Sequence, residues 1–360
     1  MKKLPKYKLA RNYIRKKIKA GEYLPGDKLP TESELSKILG VSSITIKKAM
    51  TELVNEGLIC RIQGRGSFVN ELREKKGGAM PPSNKLIAFL LSCQDVNDSS
   101  CMQIMMGIQR CLSSAGFSLI VENPGDDPEE ELRIIRRLLD NDVAGFILFS
   151  ANPELSLGNY IYLKNNNVPF VLMDRLVDSI PVNSVACNNQ DGAFSAVEYL
   201  IELQHRRIGF VADQFYLSSE KERFQGYCNA MQMASLPLKD NLLFLDSEIN
   251  YRSLANMIKS GELTALFAVN DRKGLELINK LMGMGIRIPE DVSVIGFDDY
   301  EASSLARIPM STVRQHFEEE GYTAAKILLG AIEGSDSQFN KIRIGTKLII
   351  RSSTEILQYK

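Results

Sequence analysis

The spacing of apolar and polar positions changes period along the chain. Over residues 6–20, Tyr7, Ala10, Ile14 and Ile18 recur at helical spacing with lysines and arginines between them, which predicts an amphipathic helix closed by Gly21. Thr31-Glu32-Ser33-Glu34 has the form of a capping box, with a threonine hydroxyl and a glutamate three residues on able to satisfy each other's backbone amides. It opens a short helix whose buried side is expected from Leu35, Ile38 and Leu39, and Gly40 ends it. A third helix is predicted from Ser42 or Ser43 to about Glu56, stopped by Gly57. Advancing about 100° per residue from Ile46 gathers Ala49, Met50, Leu53 and Gly57 on one stripe and leaves Ile44, Lys47, Lys48, Thr51 and Asn55 on the other side. Two short apolar runs, 58–62 and 67–69, then flank Gln63-Gly64-Arg65-Gly66 and predict a hairpin with a basic tip. After residue 85, strand-like runs at 86–91, 119–121, 145–149, 169–173, 182–186, 208–211, 265–269 and 292–297 alternate with amphipathic stretches at 101–114, 129–139, 190–203, 219–233, 271–282 and 317–331. That alternation predicts parallel sheets covered by helices, and the length suits an α/β body of two doubly wound lobes.

Charge divides the chain at the same place. Residues 1–76 hold 18 lysines and arginines against 8 acidic residues, a net of +10, and because the whole chain carries 44 of each sign the remainder carries −10. A basic head on an acidic body points to a nucleic-acid partner for the head. Three helices and a basic-tipped wing describe an N-terminal winged helix-turn-helix (α+β), in which the exposed Ile44 could meet a thymine methyl and the lysines phosphates or guanine edges. The expected organisation is a DNA-binding domain over residues 1–72, a linker over 73–84 carrying Gly77-Gly78 and Pro81-Pro82, and the α/β body over 85–360, to which the resemblance given below adds effector binding and dimerisation.

The 360 residues are 44% hydrophobic, which excludes a disordered chain, and no uncharged apolar run is long enough for a membrane helix. The N-terminal lysines precede no apolar segment of a secretory signal, and the six cysteines (60, 93, 101, 111, 187, 228) show no C-x-x-C pairing. A cytoplasmic protein with no membrane partner is expected. Metal spacing, G-x-S-x-G and phosphate loops are absent from the sequence, so no cofactor, metal or catalytic residue is expected. His205 ends a helical stretch, where a cationic or capping role is expected, and His316 lacks a partnered nucleophile.

In doubly wound sheets ligands bind beyond the carboxyl ends of the strands. Polar residues recur there: Ser92 to Asp95, Asp174-Arg175, Asn270-Asp271 and Asp298-Asp299, with Arg223 on a helix. Carboxylates accepting from hydroxyls, an arginine donating and an aromatic covering C–H edges suit a polyhydroxylated ligand. Asn270, Asp271 and Asp298 also precede helices, where capping alone explains such residues.

Two resemblances sharpen these expectations. L-P-T-E-S-E-L, G-V-S-S-I-T-I-K-K-A and E-G-L-I with G-R-G-S-F-V resemble the GntR-family DNA-binding domain over residues 5–70. The resemblance implies DNA contacts at Ser33, Ser42, Ser43, Ile44, Thr45, Lys47, Gln63, Gly64, Arg65 and Ser67. The family often has arginine where this chain has Ser33, Ser43 and Lys47, so its operator is expected to differ from the usual family core. V-N-D, R-x-x-G-Y, D-R-L, I-P-E-D-V-S-V-I-G-F-D-D and T-V-R-Q resemble the effector domain of LacI/GalR repressors and periplasmic sugar-binding proteins over about 85–355. That implies a periplasmic-binding-protein-like fold and ligand contacts at Asp174, Arg223, Asn270 and Asp298, with Arg175, Gln315 and Phe317. Contacts from the first lobe, near Gln94, Asp95, Ser100 and Met102, match the pattern poorly. The joined architecture is similar to AraR-like arabinose repressors. It implies a homodimer on a palindromic double-stranded DNA operator, released when a monosaccharide, an arabinose-like pentose or related sugar, binds between the lobes. A phosphorylated sugar or nucleobase as effector, and a non-regulatory solute-binding protein, are the alternatives.

Overall fold

The computed structural model describes residues 6–24, 26–55, 58–62, 66–69, 85–92, 99–212, 216–245, 249–334 and 339–358. The chain divides into two compact units, residues 1–83 with 155–169, and residues 84–154 with 170–360. The linker expected over 73–84 lies outside the described residues.

The head has three helices, α1 (Lys6–Lys19), α2 (Glu32–Leu39) and α3 (Ser43–Asn55), and an antiparallel pair, β1 (Ile59–Ile62) and β2 (Gly66–Val69). Thr31 and Glu34 form the capping box reciprocally, and Gly40 ends α2 in the left-handed conformation at φ 62°. Ala10 and Ile14 of α1 pack with Ile46, Ala49, Met50 and Leu53 of α3, Leu35 of α2, and Ile59 and Val69 of the hairpin. One expectation fails: Ile38 is 56% exposed. It lies about 60° round the helix from Leu35, and an eight-residue helix buries a single narrow stripe.

The body is α/β. Its first lobe runs β3 (Leu86–Leu91), α4 (Ser99–Ser114), β4 (Ser118–Glu122), α5 (Pro128–Asp140), β5 (Gly145–Phe149), α6 (Leu157–Asn165, grouped with the first unit), β6 (Phe170–Met173) and β7 (Asn183–Cys187). The second runs α7 (Asn189–Glu202), β8 (Ile208–Ala212), α8 (Ser218–Met233), β9 (Leu243–Leu245), α9 (Tyr251–Lys259), β10 (Ala265–Ala268), α10 (Asp271–Gly283), β11 (Ser293–Ile295), α11 (Glu301–Leu305) and β12 (Thr312–Arg314). Then α12 (Phe317–Glu333) and β13 (Lys341–Ile344) return to the first lobe, and β14 (Lys347–Ile349) pairs with β12. The strand orders are β13-β7-β6-β5-β3-β4 and β11-β10-β8-β9, all neighbours parallel. The chain therefore passes between lobes three times, at 187–189, 314–317 and 344–347.

Period-2 alternation covers both faces of the second sheet. Phe210, Phe267 and Ile295 pack toward α7 and α8, whereas Val211, Leu266 and Val294 pack on the opposite face with Leu254 and Leu277. In the first lobe, Ile87, Phe89, Ile147, Val171 and Val185 meet Ile104 and Ile108 of α4 and Ala324 and Leu328 of α12. Two glycines let α4 and α12 touch. A Cβ on Gly107 would sit 2.0 Å from the Glu318 carbonyl, and one on Gly321 would sit 2.3 Å from that of Ile104.

His205 corrects a second expectation. It is 2% exposed, and its Nε2 lies 3.1 Å from both Ser293 Oγ and the Glu355 carbonyl. Burial pushes its pKa down to about 4 despite the bond to Glu355, so it is a neutral core residue that fastens the C-terminal segment.

Candidate functional site

In the head, α3 presents two unlike faces. Ile46 is wholly buried, while Ile44, two residues earlier, is 82% exposed. Ser43 and Lys47 are exposed beside Ile44. Lys48 differs from Lys47, because its ammonium stands 4.3 Å from the Tyr7 ring centroid and ties α3 to α1. Ser42 caps α3: its Oγ accepts from the Thr45 amide at 3.3 Å and shares a 2.9 Å hydroxyl contact with Thr45. These two expected DNA contacts are thus engaged by the helix start. Ser33 is exposed on α2, and Ser67 lies in β2 opposite Arg61, with its carbonyl accepting from the Leu29 amide at 2.8 Å. Arg61 pairs with Glu32 at 2.5 Å, joining the hairpin to α2. Gln63, Gly64 and Arg65 lie outside the described residues. An exposed apolar side chain flanked by a serine and a lysine on one helix face can serve a DNA groove.

In the body, three of the expected ligand residues form one buried network. Arg223, on α8, lies 3.2 Å from Asp298 Oδ1, donates from Nε to Asn189 Oδ1 at 2.8 Å and from Nη1 to the Val269 carbonyl at 2.7 Å, and stacks its guanidinium 3.9 Å from the Phe297 ring centroid. Gln315 Nε2 donates to the same Asp298 oxygen at 2.5 Å. Gln315 and Asn189 stand on two of the passages between lobes, so the network spans the place where the lobes join. A glycine sets the helix that carries Arg223: a Cβ on Gly226 would sit 2.2 Å from the Gln190 carbonyl, so α7 and α8 touch one turn beyond the arginine.

The ends of the strands are strained here. Asp174 (φ 63°), Asp298 (φ 119°) and Asp299 (φ 61°) all take left-handed backbone conformations, which non-glycine residues adopt at a cost and which cluster at binding sites. Arg175 keeps to the first lobe, donating to the Ala151 carbonyl at 2.9 Å with its guanidinium 5.0 Å from the Phe149 ring centroid and 3.8 Å from Asp174 Oδ2. Asn270 uses its Oδ1 to cap α10, accepting from the Lys273 amide at 2.8 Å. Phe317 belongs to the first-lobe core and stacks on Tyr300 at 6.4 Å between centroids. Gln94 and Asp95 lie outside the described residues; Ser100 is buried on α4 and Met102 is 56% exposed there.

Sequence reasoning passes over Asn189 and Glu320 of this neighbourhood and leaves Asp271 open between a ligand contact and a helix cap. Asn189 holds Arg223 and also donates to Glu222 at 3.1 Å, and Glu222 in turn meets Arg343 at 2.6 Å. Asp271 is wholly buried, accepting from Thr312 Oγ1 and the Tyr300 amide; burial, with Asp298 nearby, raises its pKa to about 7. Glu320 on α12 is wholly buried, and burial first, then the charge of Asp174, raises its pKa to about 8. A signal for it exists in the sequence: Phe317, Glu320, Ala324 and Leu328 share one helical stripe, and a carboxylate on a buried stripe is unusual.

Comparison with known proteins agrees with this build. Residues 6–69 match the model of bacterial regulatory proteins of the gntR family, and residues 197–354 match that of the periplasmic binding protein-like domain. An arabinose metabolism transcriptional repressor of Geobacillus stearothermophilus is 27% identical over 98% of this chain and 99% of its own length. The fold is shared with the transcriptional regulator CelR in complex with cellobiose (24% identity, 90% of this chain and all of that one, TM-score 0.69). It is shared too with a LacI family transcriptional regulator from Enterococcus faecium with bound ribose (24% identity, 76% of this chain and all of that one, TM-score 0.64). The chain thus pairs a head similar to the gntR family of bacterial regulatory proteins with a body similar to the periplasmic-binding-protein-like domains.

Proposed function

We propose that the chain is a sugar-responsive transcriptional repressor whose head binds a palindromic operator as part of a homodimer and is released when a monosaccharide, an arabinose-like pentose or related sugar, binds between the lobes of the body. The observation that carries this reading is the pairing in one chain of an α3 that turns Ile44 and Lys47 to solvent with a body whose Arg223, Asp298 and Gln315 meet where the lobes join. A ligand touching both lobes there favours one lobe arrangement over another, and it shifts the population only by its difference in affinity for the two. The relative matched end to end is named a repressor, which supports repression over activation and regulation over catalysis. Among the described residues no helix is long and apolar enough to cross a membrane. A regulator that meets DNA works in the cytoplasm. The basic head also disfavours a free solute-binding protein.

Thermal unfolding against a panel of neutral and phosphorylated monosaccharides tests this. A sugar at ~100 times its dissociation constant should stabilise the native protein by about 2.7 kcal/mol. A pentose is expected to raise the midpoint. A panel with no neutral sugar raising it would refute the sugar reading.

A further inference from the structure

The effector neighbourhood holds acceptors that no described residue satisfies. Glu320 is 0% exposed, and neither Oε1 nor Oε2 has a hydrogen-bond partner among the described residues. Gln315 is 5% exposed, and its Oε1 is likewise buried and unpartnered there, although its amide nitrogen is held by Asp298. Among the described residues, these three oxygen atoms are therefore without donors. The nearby cation does not supply them, since the Arg223 nitrogens are directed at Asn189, the Val269 carbonyl and Asp298. A buried carboxyl left without a partner is among the more destabilising features a fold can keep. Glu320 is also in electrostatic contact with Asp174, Arg223 and Asp298, which come from the first lobe and from two elements of the second. It is held firmly. Gly321, the next residue, presses α12 against the backbone of α4, so the glutamate cannot swing out to water without separating two packed helices.

A group complementary to this set must donate more than once and need accept little. Burial leaves Glu320 a neutral acid in the unliganded protein, and two donors side by side would favour its ionised form, which accepts both; adjacent hydroxyls of a sugar present that pair. We propose that Glu320 is a binding and specificity-determining residue of the effector site, accepting hydrogen bonds from two neighbouring hydroxyls of the sugar while Gln315 Oε1 accepts from a third donor. This rests on the sugar reading above. It gives the buried carboxyl a partner in the liganded protein and makes the pattern of hydroxyls, rather than their number, the quantity the site selects.

Isothermal titration of the full chain with L-arabinose, D-ribose, D-xylose and their single-deoxy analogues tests this, using wild type, Glu320→Leu and Glu320→Gln. Wild type should prefer one pentose and bind the analogue lacking a contacted hydroxyl at least ~10-fold more weakly. Glu320→Leu should fold, with an unfolding midpoint in the absence of sugar equal to or above that of wild type, because an unsatisfied buried acid is replaced by an apolar group of similar size. It should bind the preferred pentose about 100-fold more weakly and no longer distinguish it from the deoxy analogue. Glu320→Gln keeps one acceptor and should fall between the two, which preserves the test should the leucine variant fold poorly. A leucine or glutamine variant that binds as tightly and discriminates as well as wild type would overturn the role of Glu320 while leaving the sugar reading standing. Wild type that binds no monosaccharide would overturn both.

Discussion

The Arg223 guanidinium stands 3.2 Å from the Asp298 carboxylate, and both side chains are more than nine-tenths buried. Such a pair contributes little over an apolar replacement of both partners, but removing one partner leaves a buried charge alone. Arg223→Ala should therefore destabilise the body by about 3–5 kcal/mol, read as a fall in the urea midpoint. The double variant Arg223→Met with Asp298→Asn, which tolerates the φ of 119° and still accepts from Gln315, should recover part of that loss yet show no stabilisation by sugar. If the single and double variants lose stability equally, the pair is not what holds this junction together.

The touching helices make a sharper steric prediction. Replacing a helical glycine by alanine gains up to about 1 kcal/mol of helix propensity where there is room. At Gly283, the end of α10, an added Cβ would meet no atom within 4 Å, so Gly283→Ala should be neutral or stabilising. Gly107→Ala and Gly321→Ala would drive a methyl into backbone carbonyls and should instead destabilise by about 1–3 kcal/mol. Thermal midpoints of the three variants decide it, and a stabilising Gly321→Ala would mean that α4 and α12 are not in contact.

Periodicity locates the long elements because each exposes one face and buries the other over several turns. It passes over α6, α9, α11, β9, β12, β13 and β14, which have three to nine residues and too few turns to establish a period. The site divides in a similar way. Arg223, Asp298 and Gln315 are recoverable from strand ends and motif order, and they do meet. Asn270 and Ser42 are ambiguous in the sequence, since a residue that can bind a ligand can also cap a helix, and both cap one. Glu320 is hidden by its neighbours: Glu318, Glu319 and Glu320 together resemble an acidic first turn that complements the helix dipole. Lys47 and Lys48 are equivalent in composition, and only packing shows that one lies over Tyr7.

His205 gives the fold a pH dependence of known sign. Its pKa falls from 6.5 to about 4 on folding, so between those values the unfolded chain binds the proton and the native protein does not. Its contribution is complete above pH 6.5 and is lost as the pH falls toward 4. The loss should be about 2 kcal/mol by pH 5. Asp271 and Glu320, whose pKa values are raised, gain stability over the same range, so the His205 contribution is read as the difference between wild type and His205→Gln in urea midpoints at about pH 7.5 and about pH 5. A pH dependence identical in wild type and His205→Gln would contradict a neutral, buried His205.

In the head, exposure separates binding from folding. Ile44→Ala should leave stability within about 0.5 kcal/mol of wild type, since the Ile44 side chain faces solvent, yet weaken operator binding. Lys47→Ala should weaken binding to all DNA sequences alike and lower the slope of log affinity against log salt by about 1. Lys48→Ala should lower stability as well, through its contact with Tyr7. Fluorescence anisotropy at several salt concentrations, beside thermal unfolding, distinguishes the three. An Ile44→Ala protein that melts early would place that side chain in the core.

The measurement that tests the central claim most directly is an anisotropy titration of the full chain on the tightest-binding DNA fragment selected from its own genome, with and without saturating L-arabinose and related pentoses. The account predicts that one pentose weakens binding at least ~10-fold, and that substitutions at Ile44 and Lys47 of α3 alter the affinity without altering that ratio. Tight binding to DNA that no pentose changes, from a protein that nonetheless binds the sugar, would contradict it.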